Sequence, residues 1–287
     1  MWWIALLACA APANRAAPAV AAPRGVEPLV EAPAQPWGPP QAPLADHVAA
    51  LEAALALGMP NPVSLTDLYA MVIDHADETC PFWEVPEEGD QAEVWSGGCV
   101  TAAGYGFEGL SIQTDLREEG EEELRSHEIE SLASFRLTDP TGAVLTNGGE
   151  YLLHLEGDEE GRAFRASVGG LWSYPGQPGW LGAGVELGLV VEGEGAGADM
   201  AFTLNGGVAW PGVSLSFREA TVDTEVCDGL IQGRVDLRDD GGHWFRLDFD
   251  DCAPCAAASW DGELVGEACV SAPLSALLLS MGAEIQR

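Results

Sequence analysis

Strict alternation of apolar and polar residues does most to narrow the folds open to this chain of 287 residues. Val185, Leu187, Leu189 and Val191 alternate with Glu186, Gly188 and Glu192; Val213, Leu215 and Phe217 alternate with Ser214, Ser216 and Arg218; Phe245, Leu247 and Phe249 alternate with Arg246 and Asp248. Successive side chains on a strand point to opposite faces, so each run describes a strand with one dry face and one wet face. Turn signals punctuate the runs: "DPTG" at 139–142, "NGG" at 147–149, "GDEEG" at 157–161, "NGG" at 205–207, "DDGG" at 239–242 and "DG" at 261–262. The pattern predicts a mainly β fold, an antiparallel up-and-down meander forming a curved sheet or barrel-like domain. A transmembrane barrel writes the same alternation, but the lack of evident aromatic girdles and the cysteine pattern favour a soluble sheet.

Two short helices are expected ahead of the strands. "LADHVAALEAALALG" begins at Leu44, is rich in Ala and Leu, and stops at Gly58 before Pro60 and Pro62. "SLTD" then predicts a helix capped by Ser64, with Asp67 three residues on and the apolar run "LYAMVIDHA" behind. This divides the folded part into a helical pair at 44–79 and a disulfide-bridged antiparallel β domain at 80–287.

The beginning of the chain reads differently. "LLAC" at residues 6–9 closes the apolar run "MWWIALLAC" and resembles a bacterial lipobox, which implies a lipoprotein-type signal over 1–9 with Cys9 acylated. Residues 10–43 are dominated by Ala and Pro, with nine prolines ending at Pro43. Such a linker tends to polyproline II and, fully extended, would lift the folded part on the order of 100 Å from a membrane. No other segment approaches ~18 consecutive apolar residues, so a spanning helix is not expected. The expected location is the cell envelope, lipid-anchored at the outer membrane or in the periplasm, or secreted, with the membrane as partner through the anchor.

Charge excludes several functions. The chain carries 46 Asp and Glu against 12 basic residues, a formal net charge of -34, and every basic residue is Arg. Schiff-base chemistry, a P-loop and a kinase-type ATP site all require a lysine amine. Nucleic acid is not an expected partner, because phosphate backbones are bound by neutralising them. The acidity reads as a solubility device.

Cysteine spacing carries the most specific signal. Apart from Cys9 there are six: Cys80, Cys99, Cys227, Cys252, Cys255 and Cys269. An even number in an exported chain suggests bridges. Cys80 and Cys99 lie evenly about "EEGD" at 87–90, Cys227 and Cys252 about "DDGG", and Cys255 and Cys269 about Asp261 and Gly262. Each such pair would close a hairpin.

Two alternatives compete for these thiols. "DDCAPC" at 250–255 resembles the C-x-P-C loop of thioredoxin-like oxidoreductases, but a reactive thiol needs nearby positive charge, and Asp248, Asp250 and Asp251 supply the opposite. A zinc site of Cys227, Cys252, Cys255 and Cys269 is chemically possible, although only one C-x2-C is present.

Other candidate chemistry is thin. "GYGFEG" at 104–109 matches G-x-G-x-x-G but runs on into the strand-like "LSIQTDL", as a glycine-rich turn would. The five histidines form no H-x3-H or H-E-x-x-H pair; His75 and His154 read as surface or strand residues. Asp239, Asp240, Asp250 and Asp251, with Asp158, Glu159 and Glu160, offer oxygen ligands for calcium, the one cofactor that composition suggests. Trp172, Trp180 and Trp210 lie in a Gly- and Pro-rich stretch, where they either stack on sugars or pack a core.

"MPNPVSLTDLY", "CPFWEV" and "WSGGC", and more loosely "FDDCAPC", resemble motifs of uncharacterised lipoproteins from high-GC Gram-negative bacteria. The resemblance implies location and fold style and transfers no catalytic residue. The expectation is an envelope lipoprotein with a structural or ligand-binding role, its ligand a glycan or a protein. A secreted hydrolase using a carboxylate pair and a calcium-dependent binding module are the alternatives.

Overall fold

The computed structural model describes residues 42–84, 92–119, 125–157, 162–196, 199–239, 244–250 and 252–285. Helix α1, Leu44–Leu57, ends at Gly58, whose φ of 80° suits glycine and whose N–H bonds the Leu55 carbonyl. Helix α2, Pro62–Ile73, starts earlier than its sequence suggests. Asn61, not Ser64, is the N-cap: its side chain accepts the Ser64 N–H at 2.7 Å, and the Ser64 hydroxyl accepts the Asn61 N–H at 2.7 Å. Pro62 explains the shift, because a proline at the first helical position has no N–H to leave unpaired and already holds the helical φ.

Fourteen strands follow: β1 Phe82–Glu84, β2 Ala92–Ser96, β3 Cys99–Val100, β4 Gly106–Glu119, β5 Arg125–Thr138, β6 Val144–Gly157, β7 Arg162–Ser173, β8 Val185–Ala196, β9 Asp199–Trp210, β10 Val213–Asp223, β11 Gln232–Asp239, β12 Trp244–Phe249, β13 Ala256–Trp260 and β14 Glu263–Ala268. They form one antiparallel sheet in sequence order, except that the short β3 pairs with β4 beyond the main path. Among the described residues β1 and β14 each have a single neighbour, so the meander is open. A five-residue helix α3, Gly179–Ala183, lies between β7 and β8.

Register assembles the dry face. Val168, Leu189, Gly206, Phe217, Val235, Leu247 and Ala258 stand side by side across seven strands. Helices cover that face. The Trp210 indole N–H donates to the Gly58 carbonyl at the end of α1 at 2.8 Å, and the His47 ring of α1 lies 4.9 Å from that of Phe245. A C-terminal helix α4, Ser271–Ile285, joins them, and its Ser275 hydroxyl accepts the Ile231 N–H at 2.7 Å. Leu274, Leu278 and Met281 of α4 are buried, a spacing of four and three that defines one helical face. Helices and sheet thus share one continuous core. Sequence alone does not distinguish helix α4 from a strand, because a short apolar run such as "LSALLLSM" fits a buried strand as well as a helix.

Two expected turns are instead strand interiors. Residues 147–149 lie within β6 and 205–207 within β9. At Gly206 the backbone has φ 114°, and a Cβ would overlap the Gly188 carbonyl oxygen of β8. The glycine is there because two backbones approach too closely for any side chain. Next to it β10 carries a bulge between Phe217 and Ala220, with Glu219 at φ 50°. Asn205 Oδ1 accepts the Glu219 N–H at 2.9 Å, so the "NGG" triplet holds a bulge rather than turning the chain. The turn at 139–142 is present: Asp139 accepts from the Thr141 N–H at 2.8 Å, the Thr141 hydroxyl at 2.7 Å and the Ala143 N–H at 2.9 Å. Asp261 and Gly262 turn β13 into β14. The signals at 87–90, 157–161 and 239–242 fall wholly or largely outside the described residues.

Candidate functional site

Disulfides join Cys80 to Cys99, Cys227 to Cys252 and Cys255 to Cys269. Each ties the open end of a hairpin: β1–β2, β11–β12 and β13–β14 respectively. Cys252 and Cys255 are bonded to different partners, so "CAPC" is not a dithiol pair. The zinc alternative is corrected on the same ground, because all four sulfurs it required are oxidised. Three bridges mark a chain that matures in an oxidising, extracytoplasmic environment. Cys9 lies outside the described residues.

Carboxylates divide by surroundings. Asp77 accepts the Ala102 N–H at 2.7 Å, the Thr79 N–H and hydroxyl at 2.8 Å and the Cys80 N–H at 3.0 Å, and these donors hold its carboxyl below the usual range. Asp139 is lowered likewise, chiefly by the Thr141 hydroxyl. Both clamp loops and stay anionic. Asp236 behaves oppositely: burial pushes its carboxyl up, against the pull of Arg218 at 3.1 Å and Arg246 at 3.7 Å. An acid-base carboxylate pair sets a raised acid beside a second, ionised carboxylate. Asp236 instead faces arginines.

No group of three His, Cys, Asp or Glu among the described residues is arranged to hold a metal ion. Of the residues considered for calcium, Asp158, Glu159, Glu160, Asp240 and Asp251 lie outside the described set. His75 stacks on Tyr105, ring centroids 4.1 Å apart and planes 8° from parallel, and His154 falls within β6. In "GYGFEG", Gly104 sits in a turn with φ 89° and Gly106 opens β4.

The tryptophans rearrange the expected site. Trp172 and Trp210 are buried, and Trp180 is half-buried against the core, so these three pack rather than stack on a ligand. The exposed aromatics are at the other end of the sheet, on edge strand β1. Phe82 is 56% and Trp83 49% exposed, although large apolar rings are ordinarily withdrawn from water. Trp83 lies opposite Trp95 of β2, with rings stacked at 5.7 Å and 19°.

A hydrogen-bonded chain fixes this pair. The Trp95 indole N–H donates to the Tyr69 hydroxyl of α2, which donates to Glu93 at 3.2 Å. Burial pushes the Tyr69 phenol up, and the Glu93 charge adds to the shift, so the donor keeps its proton. Directly opposite residues share a face and neighbours along a strand alternate, so Trp83, Trp95 and Glu93 stand together while Phe82 and Glu84 face the other way. Beneath the edge, Gly97 of "WSGGC" lets β2 close on β4, since a Cβ there would strike the backbone of Glu108. The sequence held a signal for this site: Trp83 and Trp95 straddle "EEGD" as symmetrically as Cys80 and Cys99 do.

Comparison with protein-family models, with curated proteins and with solved structures returns no match for this chain.

Proposed function

We propose that this chain is an envelope lipoprotein, anchored through Cys9 and carried on the 10–43 spacer, that works by binding or scaffolding rather than by turnover. Its folded body comprises the helical pair at 44–79 and the bridged β domain at 80–287, and its kinship is with the uncharacterised envelope lipoproteins whose motifs it resembles. One observation carries the reading: each of the three disulfides closes a hairpin, a device suited to an exported β protein that must hold its strand ends without cytosolic upkeep. The exposed rings of Phe82 and Trp83 supply a place to bind.

Intact mass of the native protein, before and after reduction, tests the anchor and the bridges together. Acylation of Cys9 adds the mass of its lipid, and opening three bridges adds roughly 6 Da, two hydrogens each. An unacylated Cys9 in envelope fractions refutes the anchor. Turnover of a glycoside or ester, abolished by neutralising one carboxylate, refutes the binding role.

A further inference from the structure

The edge strand β1 has three properties that bear on what it binds. Among the described residues it pairs only with β2, which leaves the backbone groups of its outer side open to another strand. It presents rings to both faces, Phe82 on one and Trp83 on the other. Among the described residues the charged groups on and beside it are acidic, Glu84 on the strand and Glu93 beside Trp95, on a chain of formal net charge -34.

We infer that β1 is the docking edge for an extended basic segment of a partner protein, which adds to the sheet as a short strand and lays a Lys or Arg side chain over the indole of Trp83. Main-chain pairing supplies affinity in this mode, and side chains reaching each face supply specificity. The cation is selected twice. Indole is the strongest aromatic partner for ammonium or guanidinium groups, and the Glu84 and Glu93 carboxylates reject an acidic segment while attracting a basic one. The ring does not have to be ordered at the moment of binding, because stacking on Trp95 and the Trp95–Tyr69–Glu93 chain already hold the platform. The opposite edge, β14, also has a single neighbour among the described residues and exposes Leu264 and Val265, but it carries no aromatic ring, its pairing with β13 has a bulge between Ala258 and Ser259, and α1 approaches at Gly266 through Leu44.

This inference rests on the binding role proposed above, and its test separates the two. Calorimetric titration of the full-length, bridged protein would compare four probes: a peptide alternating Arg with Val, the same peptide with alternate N–H groups methylated, a Glu–Val counterpart, and a neutral oligosaccharide. The Arg–Val peptide is expected to bind, more weakly as salt rises, while the Glu–Val peptide and the N-methylated peptide lose binding. Trp83→Ala is expected to weaken the Arg–Val peptide about 5-fold, the worth of a half-exposed cation–π contact, with Glu93→Gln reducing the salt dependence. Trp180→Ala, far along the chain from this edge, serves as the control and leaves the peptide's affinity unchanged. Equal binding of the methylated peptide overturns strand addition, and equal binding to Trp83→Ala overturns the indole's role. Binding of the oligosaccharide alone overturns the basic partner while leaving a binding role intact, and binding of none of the four overturns the docking edge without touching the anchor.

Discussion

Gly206→Ala is the sharpest probe of how the sheet is built. Gly206 sits mid-strand in β9 at φ 114°, and an added Cβ would overlap the Gly188 carbonyl oxygen and lie 3.1 Å from the Leu189 Cα. A non-glycine residue in such a backbone region costs about 1–3 kcal/mol. Forcing β8 and β9 apart costs about 1–3 kcal/mol more, as other overpacking substitutions do. Gly212→Ala isolates the first term, because Gly212 has φ 89° but nothing within 4 Å of its Cβ position. We expect Gly212→Ala to cost about 1 kcal/mol and Gly206→Ala about 4 kcal/mol. In thermal unfolding under non-reducing conditions the difference corresponds to a further fall in Tm on the order of 10 °C. Equal losses for the two variants would refute the close approach of the β8 and β9 backbones as the reason for glycine.

Other outcomes follow from the same structure. Replacing Cys255 and Cys269 with serine removes a bridge between residues 14 apart in sequence and is expected to cost about 3 kcal/mol in urea unfolding. Trp210→Phe keeps a buried aromatic ring but removes the indole's second ring and strands the Gly58 carbonyl, costing about 2–3 kcal/mol by the same assay. Asp139→Asn is expected to be less stable than the parent at neutral pH. Because the folded carboxyl of Asp139 is lowered, its contribution is complete above the unfolded value of about 3.9 and is lost as pH falls through the folded one. Urea midpoints of parent and variant should therefore converge in acid, and a gap that persists there would show that the charge is not what holds the turn.

The sequence by itself determined the grammar of the molecule. Alternation at 185–191, 213–217 and 245–249 is a local property, since a strand's two faces are written by nearest and next-nearest neighbours, and the antiparallel meander follows from it. Gly58 as a helix stop and the "DPTG" turn are equally local, each resting on a backbone conformation that few residues serve well. Tertiary structure decided everything that depends on what lies opposite. Whether a glycine turns the chain or lets two strands touch depends on the neighbouring backbone, so "NGG" at 205–207 became a bulge support. Helix α4 stands as a helix on a sheet that buries Leu274 and Leu278. Trp172 and Trp210 went inside and Trp83 stayed out, because burial is set by the layers an element packs between and not by the residue itself.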